Sequence, residues 1–331
     1  MPPTTLPFNP FREGIYSRHE LWSGYDSIPA NNTSLDWKIY EYFRGPSKYS
    51  PSRLELIAQR THDANIETAV NGFFEIDETA APKNKKPVVL VGSHSLYRDD
   101  PWYKRAAEIA YALKEAGYHI VSGGGPGLME ATHVGAWMTA YGADALADAL
   151  TMLASSSKPP LGSTTKQYEM PDYWKKATEV IEKYPVGGES FGIPTWFYGH
   201  EGANAFSTHI AKFFSNAQRE EKICAIGING LIFLPGGPGT AQEVFVDAAE
   251  NGYASYNWYS PMVFYSDSPT SVDQQALVQK LMAGKKYASL GMITSVQTPQ
   301  EAVAFLNAHP PVNANPPAPP GQPMEMFRRA D

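Results

Sequence analysis

The sequence predicts an α/β protein built on a doubly wound, mostly parallel sheet with helices on both faces. Three observations carry that prediction. First, the runs Pro87-Val88-Val89-Leu90-Val91, Tyr118-His119-Ile120-Val121 and Leu231-Ile232-Phe233-Leu234 each read as a buried strand. Second, each run ends in a turn of small residues: Gly92-Ser93-His94-Ser95, Ser122-Gly123-Gly124-Gly125-Pro126-Gly127, and Pro235-Gly236-Gly237-Pro238-Gly239. Third, helix-compatible stretches follow, from Asp100-Pro101, after Gly127 and from Thr240. Parallel strands ending in such loops gather at one edge of an open sheet, where these sheets bind ligands.

The chain has 331 residues, of which 43% are hydrophobic and 18% charged, enough for one large α/β domain with additions or for two small ones. A net charge of −7 argues against a general nucleic-acid binder. It leaves room for a small anionic ligand, because helix ends and one arginine can hold a phosphate. The single cysteine, Cys224, lies in an apolar run and reads as a core thiol. Met1-Pro2-Pro3-Thr4-Thr5 lacks a basic start and an apolar core, so no signal peptide is expected. No stretch approaches the ~20 apolar residues of a spanning helix. A cytoplasmic protein with no membrane partner is the expectation.

Residues 1–85 read as an N-terminal extension, 86–310 as the nucleotide-binding domain and 311–331 as a proline-rich tail. In the extension, Leu35 to Phe43 reads as a helix. Ser50-Pro51-Ser52-Arg53-Leu54-Glu55 reads as the start of another, with a capping serine and proline at the first position. Leu54, Ile57, Ala58, Ile66, Ala69, Val70 and Phe73 would be its apolar face, to about Phe74. Glu78 to Lys86 reads as a polar linker. In the domain, Asp100-Pro101 starts a helix that Gly117 ends. Residues 141–189 are an insert with a loop at Ser155 to Lys166 and a helix at Asp172 to Lys183; it reads as a lid over the site or an edge decoration. Then come a strand at Ser190 to Trp196, a helix from Ala203 to about Glu220, a strand at Gly230 to Leu234 and a helix at Thr240 to Gly252. The pattern closes with a strand at Met262 to Tyr265 and helices at Val272 to Met282 and Pro299 to Ala308, the last capped by Thr298 with Glu301.

The turn before Thr240 is the most informative stretch. A helix after a glycine turn aims free N–H groups and its positive dipole end at an anion. Thr240 adds a hydroxyl, and Glu243, about one helical turn on, faces the same mouth. By position alone Glu243 also reads as a glutamate that only favours the dipole, worth about 0.3–1 kcal/mol. Either glycine turn alone is a weak signal. As a pair, Ser-Gly-Gly-Gly-Pro-Gly-Leu-Met-Glu at 122–130 and Pro-Gly-Gly-Pro-Gly-Thr-Ala-Gln-Glu at 235–243 resemble the LOG family. Those are cytokinin riboside monophosphate phosphoribohydrolases and related nucleotide nucleosidases, often mislabelled lysine decarboxylases. The second segment fits the family's PGGxGTxxE pattern at every fixed position, and the resemblance covers roughly residues 86–140 and 190–310.

The resemblance implies a Rossmann-like domain that cleaves the N-glycosidic bond of a nucleoside 5′-monophosphate without a metal or redox cofactor. It also implies a homodimer. Glu243 would stabilise the cationic transition state and orient water, and Arg219 would hold glutamate and substrate. The family follows that arginine with lysine, whereas this chain has Arg219-Glu220-Glu221-Lys222, so a solvated arginine stays an open alternative. Lys222 and Arg98 are the fallback cations. Gly236, Gly237, Gly239 and Thr240 would bind the 5′-phosphate. Gly92, Ser93, Gly124, Gly125 and Gly127 would line the ribose and base side, with Met129 against the base or in the core. Glu130 reads as a site residue or a helix charge, and His94 and His133 lack metal-type spacing. Tyr253, Tyr256, Trp258 and Tyr259 read as core packing, as a stack for a purine, or as a face for a partner subunit. A non-catalytic nucleotide or cofactor binder on the same scaffold, a sensor or molybdenum-cofactor carrier, is the alternative.

Overall fold

The computed structural model describes residues 6–26, 31–76, 84–199 and 202–314. Met1–Thr5, the linker residues 78–83 and the tail from 315 onward lie outside the described residues. Along the chain, the short β1 (Tyr16–Ser17) and α1 (Arg18–Trp22) precede α2 (Leu35–Tyr42) and α3 (Arg53–Phe74). Then come β2 (Lys86–Val91), α4 (Pro101–Glu115), β3 (Tyr118–Ser122) and α5 (Leu128–Met138). The insert supplies α6 (Ala143–Ala154) and α7 (Pro171–Lys183). After it follow β4 (Ser190–Gly192), β5 (His209–Ile210), α8 (Asn216–Ala225), β6 (Leu231–Phe233) and α9 (Pro238–Tyr253). The last elements are β7 (Trp258–Tyr259), β8 (Met262–Tyr265), α10 (Pro269–Met282), β9 (Ile293–Val296), α11 (Pro299–Ala308) and β10 (Val312–Asn313).

Among the described residues the main sheet runs β1-β5-β4-β3-β2-β6-β8-β9. Every neighbouring pair in it is parallel except β1 with β5. In register, Val89 of β2 faces Val121 of β3 on one side and Leu231 of β6 on the other. Side chains alternate across a pleated strand, so a doubly covered sheet must be apolar on both faces. Val89, Val91, Val121, Leu231, Phe233 and Phe264 enter one core with α2, α3, α8, α9 and α10. Val88, Leu90, Ile120, Ile232, Val263 and Tyr265 enter the other with α4, α5, α6, α7 and α11. This is the Rossmann-like α/β architecture that the strand pattern predicts.

Local sequence chemistry sets most boundaries. Asp100 caps α4 ahead of Pro101, and Thr298 and Glu301 close a reciprocal box at α11. At α3 the cap is Ser52, boxed with Glu55; Ser50 and Pro51 lie outside the helix, so the expected serine-proline start is displaced by two residues. Only Glu55 stands three residues after a serine there, and that spacing selects Ser52. Leu54 and Ile57 are 81% and 62% exposed, so the buried face of α3 begins one turn later, at Ala58.

The largest departure is the segment from Ala203 to Glu220. The sequence predicts a single helix; the structure has a turn, the strand β5, and a helix that starts only at Asn216. Nearly every residue from Ala203 to Phe214 is buried, because the segment threads between β4 and β1 beneath α1 and α3. A stretch buried on all sides shows neither a helical nor a strand period. The strand expected at Ser190 to Trp196 likewise ends at Gly192, with a lone bridge from Thr195 to Phe213 beyond it.

The insert is pinned by a buried ion pair. Arg98 donates to Glu130 through Nε (2.8 Å) and Nη2 (2.6 Å), and its Nη1 reaches Ser156 Oγ and the Tyr173 carbonyl. The hydroxyls of Tyr103 and Tyr173 both donate to Glu130 Oε2. The pair is 0% and 1% exposed, and each guanidinium nitrogen and both carboxylate oxygens have a partner inside the protein. Breaking a buried pair from one side leaves an uncompensated charge. Glu130→Ala is therefore expected to cost about 3–5 kcal/mol, measured by urea unfolding, with the insert exchanging amide hydrogens faster than the central strands.

Candidate functional site

From β2 the chain winds outward to β3, β4 and β5, then returns to build β6, β8 and β9 on the opposite side. The strand order reverses between β2 and β6, and the crevice beyond their carboxyl ends is the expected ligand position. A cleft of about 930 Å³ opens there, within the usual range for ligand sites.

Its rim comes from the glycine turns. Gly92 and Ser93 after β2, Gly125 and Met129 after β3, and Gly236, Gly237, Gly239 and Thr240 after β6 all line the cleft. Gly237 occupies the N-cap of α9 and no side chain caps that helix. Gly237, Gly239 and Thr240 line the cleft, so the positive end of the helix dipole borders it. A Cβ on Gly236 would stand 2.0 Å from Thr240 Oγ1, so glycine is what lets the threonine hydroxyl sit under the turn. Gly124 and Gly127 do not line the cleft. Gly124 packs on Gly192, and Gly127 packs on Ser93 and His94, where the Leu128 N–H bonds the Ser93 carbonyl (2.9 Å). These two glycines join the loops to each other and are not expected to touch a ligand.

The floor is ionic. Arg219 lies in the first turn of α8, nearer the start of its helix than the sequence reading had it. Its Nε donates to the Ile193 carbonyl (2.9 Å), and its Nη1 donates to Glu220 Oε1 (2.6 Å) and to Glu243 Oε1 (3.2 Å). All three side chains are at most 9% exposed, and all three residues line the cleft. Burial pushes the Glu243 carboxyl above its ordinary range; Arg219 opposes that push and Glu220 adds to it. Gly123 gives the guanidinium its space, since a Cβ there would lie 2.2 Å from Arg219 Nη2.

The fallback cations are elsewhere. Lys222 is bound to Asn71 (2.7 Å) and Glu67 on α3, and Arg98 serves the insert. Glu130 is likewise a structural partner. His94 lines the cleft and is exposed, whereas His133 is buried between the hydroxyls of Ser122 and Ser190, where burial lowers its pKa to about 3 and keeps it neutral. Cys224 is buried, its thiol also raised by burial. None of Tyr253, Tyr256, Trp258 and Tyr259 lines the cleft; Tyr253 is 78% exposed and Tyr256 bonds Glu221. No described residue of the insert lines it either, so the insert braces α5 and does not roof the site. Among the described residues no group of three or more His, Cys, Asp and Glu is arranged to hold a metal ion, and no helix is long and apolar enough to cross a membrane.

Sequence reasoning missed Gly123, Glu220, Ser268 and Thr270, which also line the cleft. Ser268 and Thr270 follow β8, so the rule that found the other loops would have found them. Glu220 was legible only as an irregularity beside Arg219. The role of the extension was not legible. Tyr16 OH meets His62 Nε2 (2.7 Å), His62 Nδ1 meets Asp63 (3.0 Å), and the Asp63 carboxylate accepts the N–H groups of Phe214 and Ser215. Ser215 is the N-cap of α8, so this chain of bonds fixes the helix that carries Arg219.

No family model matches the chain, and no curated protein sequence matches it. Solved structures resemble it in backbone course at low identity. The molybdenum cofactor binding protein from the phototrophic bacterium Rippkaea orientalis has a TM-score of 0.41 at 13% identity, over 68% of this chain and 96% of that one. The molybdenum cofactor carrier protein from Chlamydomonas reinhardtii has a TM-score of 0.39 at 16% identity, over 68% of this chain and 98% of that one. A second structure of the Chlamydomonas carrier gives 0.38 at 16%, over 68% and 97%.

Behind the site, α9 carries Asp247 and Glu250 on the face that bears Glu243, at the spacing of successive turns. Burial raises Asp247 well above its ordinary range, and burial, with Asp247 and Glu221 adding to it, raises Glu250 to about 9. Both hold their protons more tightly folded than unfolded. Their contribution to stability is complete below the ordinary carboxylate range and is lost as pH rises through the raised values. The melting temperature should therefore fall from mildly acidic pH toward about pH 9, and Asp247→Asn with Glu250→Gln should flatten that fall in a pH series of thermal melts.

Proposed function

We propose that this chain is a hydrolase of the LOG type, cleaving the N-glycosidic bond of a nucleoside 5′-monophosphate to a free base and ribose 5-phosphate. The observation that carries the reading is the buried Arg219–Glu243 pair at the floor of a cleft whose rim is an uncapped helix N-terminus. Charge separates the two ends of the substrate. The N–H groups before Thr240 favour the phosphate dianion. The floor holds two carboxyl groups against one guanidinium, which disfavours phosphate there and favours a sugar becoming cationic. Breaking the bond to the base builds oxocarbenium character at C1′, and a carboxylate beside it stabilises that charge and orients the attacking water. Arg219 fixes the carboxylate's position. A cytoplasmic homodimer belongs to the same proposal and rests on the family resemblance.

The second reading is a non-catalytic nucleotide or cofactor binder, of the sensor or molybdenum-cofactor carrier type. The cleft volume, about 930 Å³, favours it, because that is near the upper end for such sites and admits a ligand larger than a mononucleotide.

One assay separates the two. Incubation with AMP, CMP, GMP and UMP should release ribose 5-phosphate, and Glu243→Ala should lower the rate by about 10²–10⁴-fold. Tight binding with no release from any nucleotide would establish the binder instead. Gly123→Ala, which drives a methyl into the buried guanidinium, should lower kcat by about 10²-fold and also lower the melting temperature, because overpacking a buried site costs about 1–3 kcal/mol.

A further inference from the structure

Glu220 enters the reaction as described only as a second acid beside Arg219, yet it is built into the floor. It is 2% exposed and lines the cleft beside Glu243. One oxygen, Oε1, takes the Arg219 Nη1 bond at 2.6 Å; the other, Oε2, is buried with no donor from the protein. Glu243 Oε1 takes the same Arg219 Nη1 at 3.2 Å, so the two carboxyl groups meet at one nitrogen. Two carboxylates cannot bond each other unless one is protonated, and a buried acceptor without a donor is costly. A single O–H between the two removes both difficulties. One guanidinium shared by two ionised acids also leaves one negative charge uncompensated, which a proton cancels.

We propose that Glu220 and Glu243 hold one proton between them under Arg219, and that this proton is delivered to the departing base. The inference rests on the hydrolase reading for its second half only. The C1′–N bond breaks and its electron pair goes to the base nitrogen, which takes the shared proton. The water oxygen bonds C1′, and its released proton returns to the carboxylate pair. Substrate plus water becomes base plus ribose 5-phosphate, and the pair is restored. Other titratable groups face it at greater remove: Cys224 from α8, whose thiol donates to the Glu243 carbonyl, and Asp247 one turn along α9. His94 borders the same cleft from the loop after β2.

Two measurements on the full-length protein test this. Difference infrared spectroscopy at neutral pH, wild type minus variant, should show one protonated carboxyl group lost in Glu220→Gln and likewise in Glu243→Gln; Asp247 and Glu250 are common to all three and cancel. If one variant does not fold, the other reads the same signal. The pH profile of kcat/KM should then lose its alkaline limb to lower pH by about one unit or more in Glu220→Gln, because the like charge that holds the proton is gone. A spectrum with no carboxyl lost, or an unmoved alkaline limb, overturns the proposal. Absence of ribose 5-phosphate from the wild type overturns the hydrolase reading and the delivery step with it, while the infrared signal still decides whether the pair shares a proton.

Discussion

The Arg219 guanidinium is the constraint on which the site depends. It touches the segment after β4 through the Ile193 carbonyl, its own helix through Glu220, and α9 through Glu243, and it lies against Gly123 of the turn after β3. Four pieces of chain from four parts of the sequence meet on one planar group. Arginine suits this because its donors are fixed in a fork and its charge is permanent. A lysine would offer one mobile ammonium and could satisfy only part of the arrangement. The two acids offset the cost of burying a full positive charge, and the cation in turn makes two buried carboxyl groups tolerable.

Such a group must be held from behind, and the extension does so. The bonds from Tyr16 through His62 to Asp63 end on the N–H groups that open α8. A second buried link, Asp36 of α2 with Lys212 (2.8 Å) and the Trp196 indole (2.9 Å), ties the stretch between β5 and α8 and the segment after β4 to α2. Residues of the extension also share the core with α8 and α9. It behaves as part of the scaffold, with β1 closing one edge of the sheet.

What the sequence made legible follows from what kinds of signal are local. The central strands, the glycine turns and most helix caps are local features, and each was found where the pattern put it, as with β2, β6 and the Thr298–Glu301 box. Ala203 to Phe214 was misread because burial on every side erases periodicity. Gly124 and Gly127 were read as ligand contacts because a glycine turn looks alike whether its glycines serve a ligand or a neighbouring loop. Asp63 and Glu220 were beyond reach for a deeper reason. Their partners lie 151 residues away, or depend on which way a helix is turned, and neither fact is written in nearby residues.

The spacing along α9 shows why one helix can bear both ends of the proposed chemistry. Its first turn presents backbone N–H groups and the Thr240 hydroxyl, which favour negative charge. One turn deeper stands Glu243, and deeper still come Asp247 and Glu250, all on one face. The dipole's stabilisation of anions fades within the first turn, so the acids further along gain little from it and burial governs them. The helix therefore passes from a first turn whose dipole favours an anion to a buried face where burial raises the carboxyl groups above their ordinary range. A ligand with an anion at one end and a proton-accepting atom at the other matches that gradient, and a glycine-rich first turn is what allows it to approach the backbone closely enough to feel both.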